Sequence, residues 1–270
     1  MTTEMFTMIT VYVLAGLVGL CVGSFLNVVI YRVPLGMSLS SPASHCPKCD
    51  YKLRWYDNIP VLSYIMLGGK CRSCKEKISP RYMLVELSNA VLWLACVWRF
   101  GVSDWRAIVS LVASALALST CLCIAFIDLE HKLIFDRFQI IMAVLAVAYT
   151  VADTSTPWWS HPVAAVAGGV IFWFIGWLVS KKAGREALGG GDVKFAFVSG
   201  LFLGWEKLLV MMIVASVSGS IILMILNGKN KENENEKDYP FAPFLTAGFA
   251  IAVLFGEALI SAYLHLMGLE

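Results

Sequence analysis

Charged side chains are scarce in this chain: Asp, Glu, Lys and Arg make up only 15% of its 270 residues, whereas 59% are hydrophobic. A soluble domain of this size needs a charged exterior, so the composition excludes an ordinary soluble globular protein. Four stretches carry no charge at all: residues 6–31, 107–127, 154–180 and 208–227. Each has the roughly 20 residues that cross about 30 Å of hydrocarbon. The chain is therefore predicted to be a polytopic membrane protein embedded in the lipid bilayer.

Two familiar site motifs are also missing. No H-E-x-x-H sequence occurs, which disfavours a zinc-catalysed protease. Three glycines do occur at residues 189–191, but no strand precedes them and the adjacent Asp192 would repel phosphate. A phosphate-binding loop is therefore disfavoured. The formal net charge is only +2, and we predict no nucleic-acid partner.

The hydropathy pattern predicts an all-α fold of about eight transmembrane helices, with one sizeable loop at residues 32–81. The segment 194–205 is too short to cross alone, yet basic segments lie on both sides of residues 194–226. We therefore expect an out-and-back hairpin with a short first arm. The predicted spans are residues 6–31, 82–100, 106–127, 138–153, 158–180, 194–205, 207–226 and 243–264.

The basic residues set the predicted orientation. Only Glu4 precedes the first span, which therefore does not resemble a cleavable signal peptide. With the N-terminus and, after eight spans, the C-terminus in the periplasm, 18 of the 21 Lys and Arg residues fall in cytoplasmic segments. Such an asymmetry is what the positive-inside rule requires.

The loop at residues 32–81 carries two C-x-x-C pairs, Cys46 with Cys49 and Cys71 with Cys74. Four thiolates at this spacing can surround one zinc ion tetrahedrally and leave no open position for water, which predicts a structural zinc site. Two disulfides or unrelated free thiols are the alternative, but a cytoplasmic loop disfavours disulfides. The other four cysteines lie in apolar spans and are interpreted as small hydrophobic residues.

Two aspartates lie at the predicted cytoplasmic ends of spans, at similar depth. Asp128 directly follows the third span, and Asp192 follows the three glycines. Two carboxyl groups in a partly dry site cannot both ionise easily, so one can take a proton from water while the other donates to a carbonyl oxygen. Glycines there permit positive φ and a close approach of substrate. Alternatively, Asp192 caps a helix that starts at Val193, and Asp128 is an ordinary interfacial residue.

Several segments together resemble the type IV prepilin peptidases. They are both C-x-x-C pairs and residues 23–34 (GSFLNVVIYRVP), 55–64 (WYDNIPVLSY), 78–82 (ISPRY), 127–131 (IDLEH) and 189–194 (GGGDVK). The chain departs from the family's usual pattern at Phe135, where Pro is common, and at Lys132, where Gln is common. These departures concern the shape of the segment that follows Asp128.

The resemblance implies an intramembrane aspartyl protease of the G-x-G-D class in the bacterial inner membrane, with Asp128 and Asp192 catalytic at the cytoplasmic face. Its substrates would be prepilins or pseudopilins of type IV pili or type II secretion. The large loop implies a second activity, N-methylation with S-adenosylmethionine. The expected domains are a first transmembrane helix at 1–31, a zinc-binding cytoplasmic loop domain at 32–81 and a transmembrane protease domain at 82–270.

Five further polar residues are candidates for binding the methyl donor or the leader: Asn27, Arg32, Asp57, Asn58 and Glu86. Each also has an ordinary structural reading, such as helix packing, membrane anchoring or a turn before Pro60. We expect His131 and Lys194 to tune the aspartates, and we interpret His45 and His161 as incidental.

Two alternative functions remain open on the sequence. One is a family member with peptidase activity alone. The other, from a different class, is a transporter whose boundary carboxylates relay cations, which would place them near mid-membrane in discontinuous helices. The sequence leads to no prediction of the oligomeric state.

Overall fold

A computed structural model describes residues 3–183, 188–229 and 239–269. In these ranges the chain is helical and has no strand, only two isolated β-bridges. The predicted all-α membrane fold is thereby confirmed. The helices are α1 Thr3–Arg32, α2 Leu62–Met66, α3 Arg81–Phe100, α4 Trp105–His131, α5 Asp136–Ala152, α6 Ser160–Ala183, α7 Gly190–Lys229 and α8 Ala242–Leu266.

The number of spanning helices differs slightly from the predicted eight. Six helices in the described ranges are long and apolar enough to cross a membrane: α1, α3, α4, α6, α7 and α8. Helix α5 has only 17 residues. Helix α7 covers both the sixth and the seventh predicted span as two helical arms that meet at Gly204, whose backbone is not helical.

By its contacts the chain divides into two compact units, Met1–Gly101 and Val102–Glu270. The first contains α1, the cysteine-bearing loop and α3. The second contains α4 to α8. The finer division into domains at residues 31 and 81 stays a prediction.

In the first unit, α1 and α3 lie antiparallel and very close together. A Cβ added at Gly19 would lie 2.8 Å from the Cα of Ala90, and one at Gly23 would lie 2.7 Å from the Cα of Glu86. Neither position can therefore accept a side chain without separating the helices. Polar side chains add hydrogen bonds at the same contact: the Asn89 amide donates to the Gly19 carbonyl at 2.7 Å.

In the second unit, the first arm of α7 packs antiparallel on α6. A Cβ at Gly168 on α6 would lie 2.9 Å from the carbonyl oxygen of Ala196. Nearer the start of α6, the hydroxyl of Ser160 accepts a hydrogen bond from the Trp205 N–H at 3.0 Å. Small residues on α6 thus allow a close helix contact, as in other membrane helix pairs.

The chain reverses direction at Gly204. This residue has φ 73° and ψ 175°, a conformation essentially confined to glycine. In the later arm of α7, a Cβ added at Gly219 would lie 3.5 Å from the ring of Phe241, which directly precedes α8. Since the next residue, Ala242, hydrogen-bonds the Asp128 carboxylate, this arm has returned to the end where α4 finishes. The predicted out-and-back hairpin is present.

At the Gly204 end of the second unit lies a cluster of polar side chains. The ammonium of Lys207, which is buried, pairs with Glu257 at 2.9 Å. His161 is fully buried, with Nδ1 at 3.1 Å from the Leu201 carbonyl and Nε2 at 4.0 Å from Asp153. His161 is therefore part of this polar cluster, and its interpretation as incidental to function stays a prediction.

Candidate active site and metal centre

Asp128 lies in the last turn of α4. That helix ends at His131, and the next residue, Lys132, has φ 55° and donates its N–H to the Asp128 carbonyl at 2.9 Å. The side chain is only 6% exposed. Its Oδ2 accepts a hydrogen bond of 3.0 Å from the N–H of Ala242, the first residue of α8. A helix N-terminus favours a negative charge, so α8 holds this carboxylate in place.

Asp192 lies in the first turn of α7, which begins at Gly190. Its N–H donates to the Gly189 carbonyl at 3.0 Å, so Asp192 is inside the helix and is not the cap of a helix starting at Val193. That alternative is wrong. The side chain is 9% exposed, and its Oδ1 is buried without a hydrogen-bond partner in the described part of the chain. Such an orphaned oxygen is available to a ligand.

The two carboxyl groups are brought to the same end of the second unit, where they interact electrostatically. They belong to different helices, and 63 intervening residues separate them in the sequence. Two carboxyl groups so placed disfavour double ionisation. The arrangement is chemically able to act as a paired acid and base.

The three glycines before Asp192 have a steric role that differs from the expected one. None of them has positive φ. A Cβ at Gly191 would lie 2.8 Å from the Cβ of Ile134, so this position must lack a side chain. The Gln139 amide lies 3.5 Å from the Gly191 carbonyl on the same segment. The glycine segment therefore fits tightly against the chain that follows Asp128.

The two basic residues near the aspartates are both exposed. The Lys194 ammonium pairs with Asp136 at 2.6 Å, and both side chains are exposed. His131 is exposed in the last turn of α4. The ion pair with Asp136 accounts for Lys194 without a role in tuning the aspartates.

The four loop cysteines converge on one point in the first unit. The ligand atoms of Cys46, Cys49, Cys71 and Cys74 all lie within 4.8 Å of one another. Sulfur separations of 3.8 Å (Cys46 to Cys74) and 4.0 Å (Cys49 to Cys71) exclude a disulfide at either pair. Tetrahedral ligands at a Zn–S distance of about 2.3 Å are about 3.8 Å apart. The cluster therefore has the size of a four-thiolate metal site.

The two cysteine turns are built alike. In each, the N–H of the first cysteine donates to the carbonyl of the residue five positions later, and the residue four positions later has positive φ: Asp50 in one turn and Lys75 in the other. Hydrogen bonds from the N–H groups of Cys74 and Ser73 lower the pKa of the Cys71 thiol to about 7. A lowered pKa favours the thiolate that binds metal.

A cavity of about 480 Å³ lies in the first unit, beside the cysteine cluster. Its volume is in the range of about 300–1,000 Å³ that small-molecule sites occupy. All five polar residues singled out from the sequence line this cavity: Asn27, Arg32, Asp57, Asn58 and Glu86.

Two of these five are fully engaged within the protein. The Arg32 guanidinium donates to the carbonyls of Ser38, Leu39 and Pro42 at 2.7–3.3 Å. The Asp57 carboxylate accepts hydrogen bonds from the Arg72 side chain at 2.7 Å and from the Tyr51 hydroxyl and the Arg54 N–H, each at 3.2 Å. Both side chains therefore shape the loop around the cavity.

The other three retain capacity to bind a ligand. Asn58 is exposed at the cavity rim. Asn27 is buried and donates through its amide nitrogen to the carbonyls of Tyr82 and Gly23, while its Oδ1 is buried without a partner in the described residues. Glu86 is buried and accepts the Val61 N–H at 2.8 Å.

Some residues of the site gave no signal in the sequence. Val61 has φ 61°, which is rare for a β-branched residue. Tyr51 and Arg72 bond Asp57 from other parts of the loop, and Gln139 reaches the Gly191 carbonyl from α5. Only the three-dimensional contacts identify these four side chains.

Comparison with known proteins gives a consistent result along the chain. A family model described as the bacterial peptidase A24 N-terminal domain matches residues 17–100, and one described as the type IV leader peptidase family matches residues 115–224. No solved structure matches.

Curated relatives are similar to the chain over most of its length, and all three described here bear the name prepilin leader peptidase/N-methyltransferase. The relative from Myxococcus xanthus is 39% identical over 84% of this chain and 68% of its own. The one from Pseudomonas putida is 33% identical over 94% of both chains. The one from Xanthomonas campestris is 32% identical over 95% of both.

Proposed function

Because this chain belongs to the prepilin leader peptidase/N-methyltransferase family, we propose that it cleaves the short basic leader from prepilins or pseudopilins and N-methylates the new terminus. The observation that carries the peptidase half is the pair of buried, interacting carboxyl groups of Asp128 and Asp192. The enzyme is a multi-pass protein of the bacterial inner membrane. Its active site faces the cytoplasm and both termini face the periplasm, as the distribution of Lys and Arg supports.

Cleavage proceeds by shared acid–base chemistry. The ionised member of the pair takes a proton from water, and the resulting hydroxide attacks the peptide carbonyl carbon. The protonated member donates its proton to the carbonyl oxygen and takes one back when the tetrahedral intermediate collapses, while the other carboxyl gives the proton taken from water to the leaving amine. Asp128 is oriented by the Ala242 N–H, while the orphaned Oδ1 of Asp192 is free to contact water or substrate.

Methylation uses the cavity of the Met1–Gly101 unit, which we assign to S-adenosylmethionine. The cavity suits this ligand because it has a sufficient volume and polar side chains along its wall. Asn58 would hydrogen-bond the methyl donor, with Arg32 and Asp57 shaping the wall. When bound, the donor supplies an electrophilic methyl group.

The four cysteines are assigned to a structural zinc ion. Four thiolates complete a tetrahedral shell, so the ion has no open position for chemistry. Zinc instead holds together the loop at residues 32–81, which is too small to form a sizeable core of its own.

The transporter alternative fits the geometry less well. It requires carboxylates near mid-membrane in discontinuous helices. Asp128 lies in the last turn of α4 and Asp192 in the first turn of α7. Both positions are helix ends, where a peptide arriving from one side of the membrane is accessible.

The test of the peptidase is processing of a prepilin by purified enzyme. Asp128→Asn and Asp192→Asn are each expected to slow cleavage by about 10²–10⁴-fold, the usual contribution of a general acid or base. Asp136→Asn is the matched control, because Asp136 is exposed and pairs only with the exposed Lys194; its rate should stay at the wild-type level. Wild-type processing by either of the first two variants would exclude the assignment.

The test of methyl transfer is the mass of the mature product. With S-adenosylmethionine present, the new N-terminus should gain one methyl group. If the product is cleaved but stays unmethylated, the enzyme has peptidase activity alone.

A further inference from the structure

We propose that Glu86 is the anionic group that binds the ammonium of a peptide N-terminus inside the cavity of the Met1–Gly101 unit. The inference rests on the proposed function, since cleavage creates such a terminus. It assigns Glu86 and the Oδ1 of Asn27 to the peptide and leaves the rest of the cavity to the methyl donor.

Glu86 is held rigidly and deep. It lies five residues after Arg81 on α3, about 7.5 Å into the helix at 1.5 Å per residue, and its side chain is buried. Its Oε2 accepts the Val61 N–H at 2.8 Å, and the backbone of Glu86 packs directly on Gly23 of α1. Three parts of the unit therefore fix the position of this residue.

No ion pair within the described part of the chain neutralises it. Among the residues that the structure describes, no Lys, Arg or His side chain forms an ion pair with Glu86. The nearby cavity-lining guanidinium groups are engaged elsewhere, that of Arg32 by three carbonyls and that of Arg72 by Asp57. A buried carboxylate without a counter-ion is destabilising, and such groups in membrane proteins usually serve a ligand.

A second acceptor lies close by. Asn27 contacts the Gly23 carbonyl through its amide nitrogen, and Gly23 packs directly on the backbone of Glu86. Since the Asn27 nitrogen donates to two carbonyls, its Oδ1 must accept, and this oxygen has no partner in the described residues. A carboxylate and an amide oxygen lining one cavity call for a ligand that carries both positive charge and several N–H donors, which is an ammonium group.

The backbone at Val61 adds a further sign of a functional position. Val61 forms a tight turn, with φ 61° and ψ −49° and a bond of 2.6 Å from the Leu62 N–H to the Pro60 carbonyl. This conformation is strained, and strained backbone is concentrated at ligand sites. The Glu86 carboxylate holds the turn through the Val61 N–H.

Position favours the peptide over the methyl donor as the source of the ammonium. Glu86 and Asn27 lie within the spanning helices α1 and α3, beside Val28 and Met83 of the cavity wall. Most of the other polar lining residues, among them Asn58, belong to the loop. An apolar chain entering from the membrane therefore meets Glu86, whereas a water-soluble donor meets the loop.

The experiment measures binding to the purified full-length protein in detergent. The probe is a decapeptide of Leu and Ala with a fluorophore at its C-terminus, prepared with a free or an acetylated N-terminus. Wild-type protein should bind the free form roughly 10–100-fold more tightly, as expected for a buried charge-assisted hydrogen bond. In Glu86→Gln, which keeps an acceptor for Val61, this preference should vanish while affinity for the acetylated form is unchanged.

Two variants complete the design. Glu76→Gln removes an exposed carboxylate that lines the same cavity, so its preference should equal the wild type's. Glu86→Asp keeps the charge and should retain part of the preference for the free N-terminus. This variant shows that a change of side chain at position 86 does not by itself abolish peptide binding through misfolding.

Three results would overturn the proposal. They are equal binding of both peptides by the wild type, a preference retained in Glu86→Gln, and a Glu86→Gln variant that loses affinity for S-adenosylmethionine but not for the peptide. Because the assay involves no cleavage, it stays informative if Asp128→Asn shows that the peptidase assignment is wrong.

Discussion

Carboxylates in this protein differ chiefly in what surrounds them. Asp57 accepts three hydrogen bonds, one of them within an ion pair, whereas one oxygen of Asp192 has no partner in the described residues. Asp57 is therefore a structural residue of the loop, and Asp192 is poised for a ligand. The same residue type serves two purposes because of its contacts.

For Asp57 we predict a pH-dependent contribution to loop stability. Burial raises the pKa of Asp57, but hydrogen bonds from Arg72, the Arg54 N–H and Tyr51 outweigh burial, so the pKa is lowered overall. A lowered folded-state pKa means that the contribution is complete above the unfolded value of about 3.9 and is lost as pH falls through the folded value. Asp57→Asn should therefore speed proteolysis of the loop at pH 7.

The measured quantity is the difference in the rate of loop proteolysis between the wild type and Asp57→Asn. Taking the difference removes the effect of acid on the cysteines, which both proteins share. That difference should be constant from pH 5 to 8 and shrink below about pH 4. A difference that grows in acid would contradict the sign of the shift.

Among the helices, α7 has the most demanding local geometry. Its two arms meet at Gly204, where φ is 73° and an added Cβ would lie 3.0 Å from the Ser160 hydroxyl. Gly204→Ala should lower the free energy of unfolding by about 1–3 kcal/mol, through strain alone. Thermal unfolding in detergent measures the loss.

A glycine of the same helix provides the control. Gly219 lies in the second arm, has no positive φ, and an added Cβ would make only ordinary contacts of 3.5–3.6 Å with Phe241 and Phe244. Gly219→Ala should be neutral or slightly stabilising, because alanine is the better helix former. Equal destabilisation by both substitutions would show that the break at Gly204 is not the cause.

The whole molecule combines two compact units, and we predict that their functions separate. Cys46→Ser, or removal of zinc by a chelator, should unfold the loop and reduce methylation of the mature product. Cleavage depends on residues of the other unit and should continue. Mass spectrometry of one reaction mixture measures both activities.

The reciprocal variant completes this comparison. Asp192→Asn should block cleavage while a synthetic peptide that already has the mature N-terminus is still methylated. Loss of both activities in each variant would show that the units do not act separately.

Much of the architecture could be predicted from the sequence because hydrocarbon imposes long uncharged runs. The reversal near residue 205 was predicted for a related reason, since basic segments flank residues 194–226 and a single crossing would separate them. The cysteine cluster follows from ligand spacing alone. These features depend on residues that are near one another in the chain or on a rule that acts on whole segments.

The state of individual site residues could not be predicted in this way. Nothing in the sequence indicates that Arg32 is saturated by carbonyls, or that Val61 is strained and bonded to Glu86, 25 residues away. The two catalytic candidates could be named, but the N–H of Ala242 as partner of Asp128, 114 residues away, could not. Such contacts are set by the packing of helices, which a local pattern does not specify.

That last contact gives the final helix a part in the chemistry. If α8 shifts along its axis or is removed, the Asp128 carboxylate loses its only backbone donor in the described residues, even though every candidate catalytic side chain is still present. A shortened enzyme ending before residue 242 should therefore be inserted and inactive. On the proposed mechanism, the C-terminal helix would be a working component of the acid pair and more than a membrane anchor.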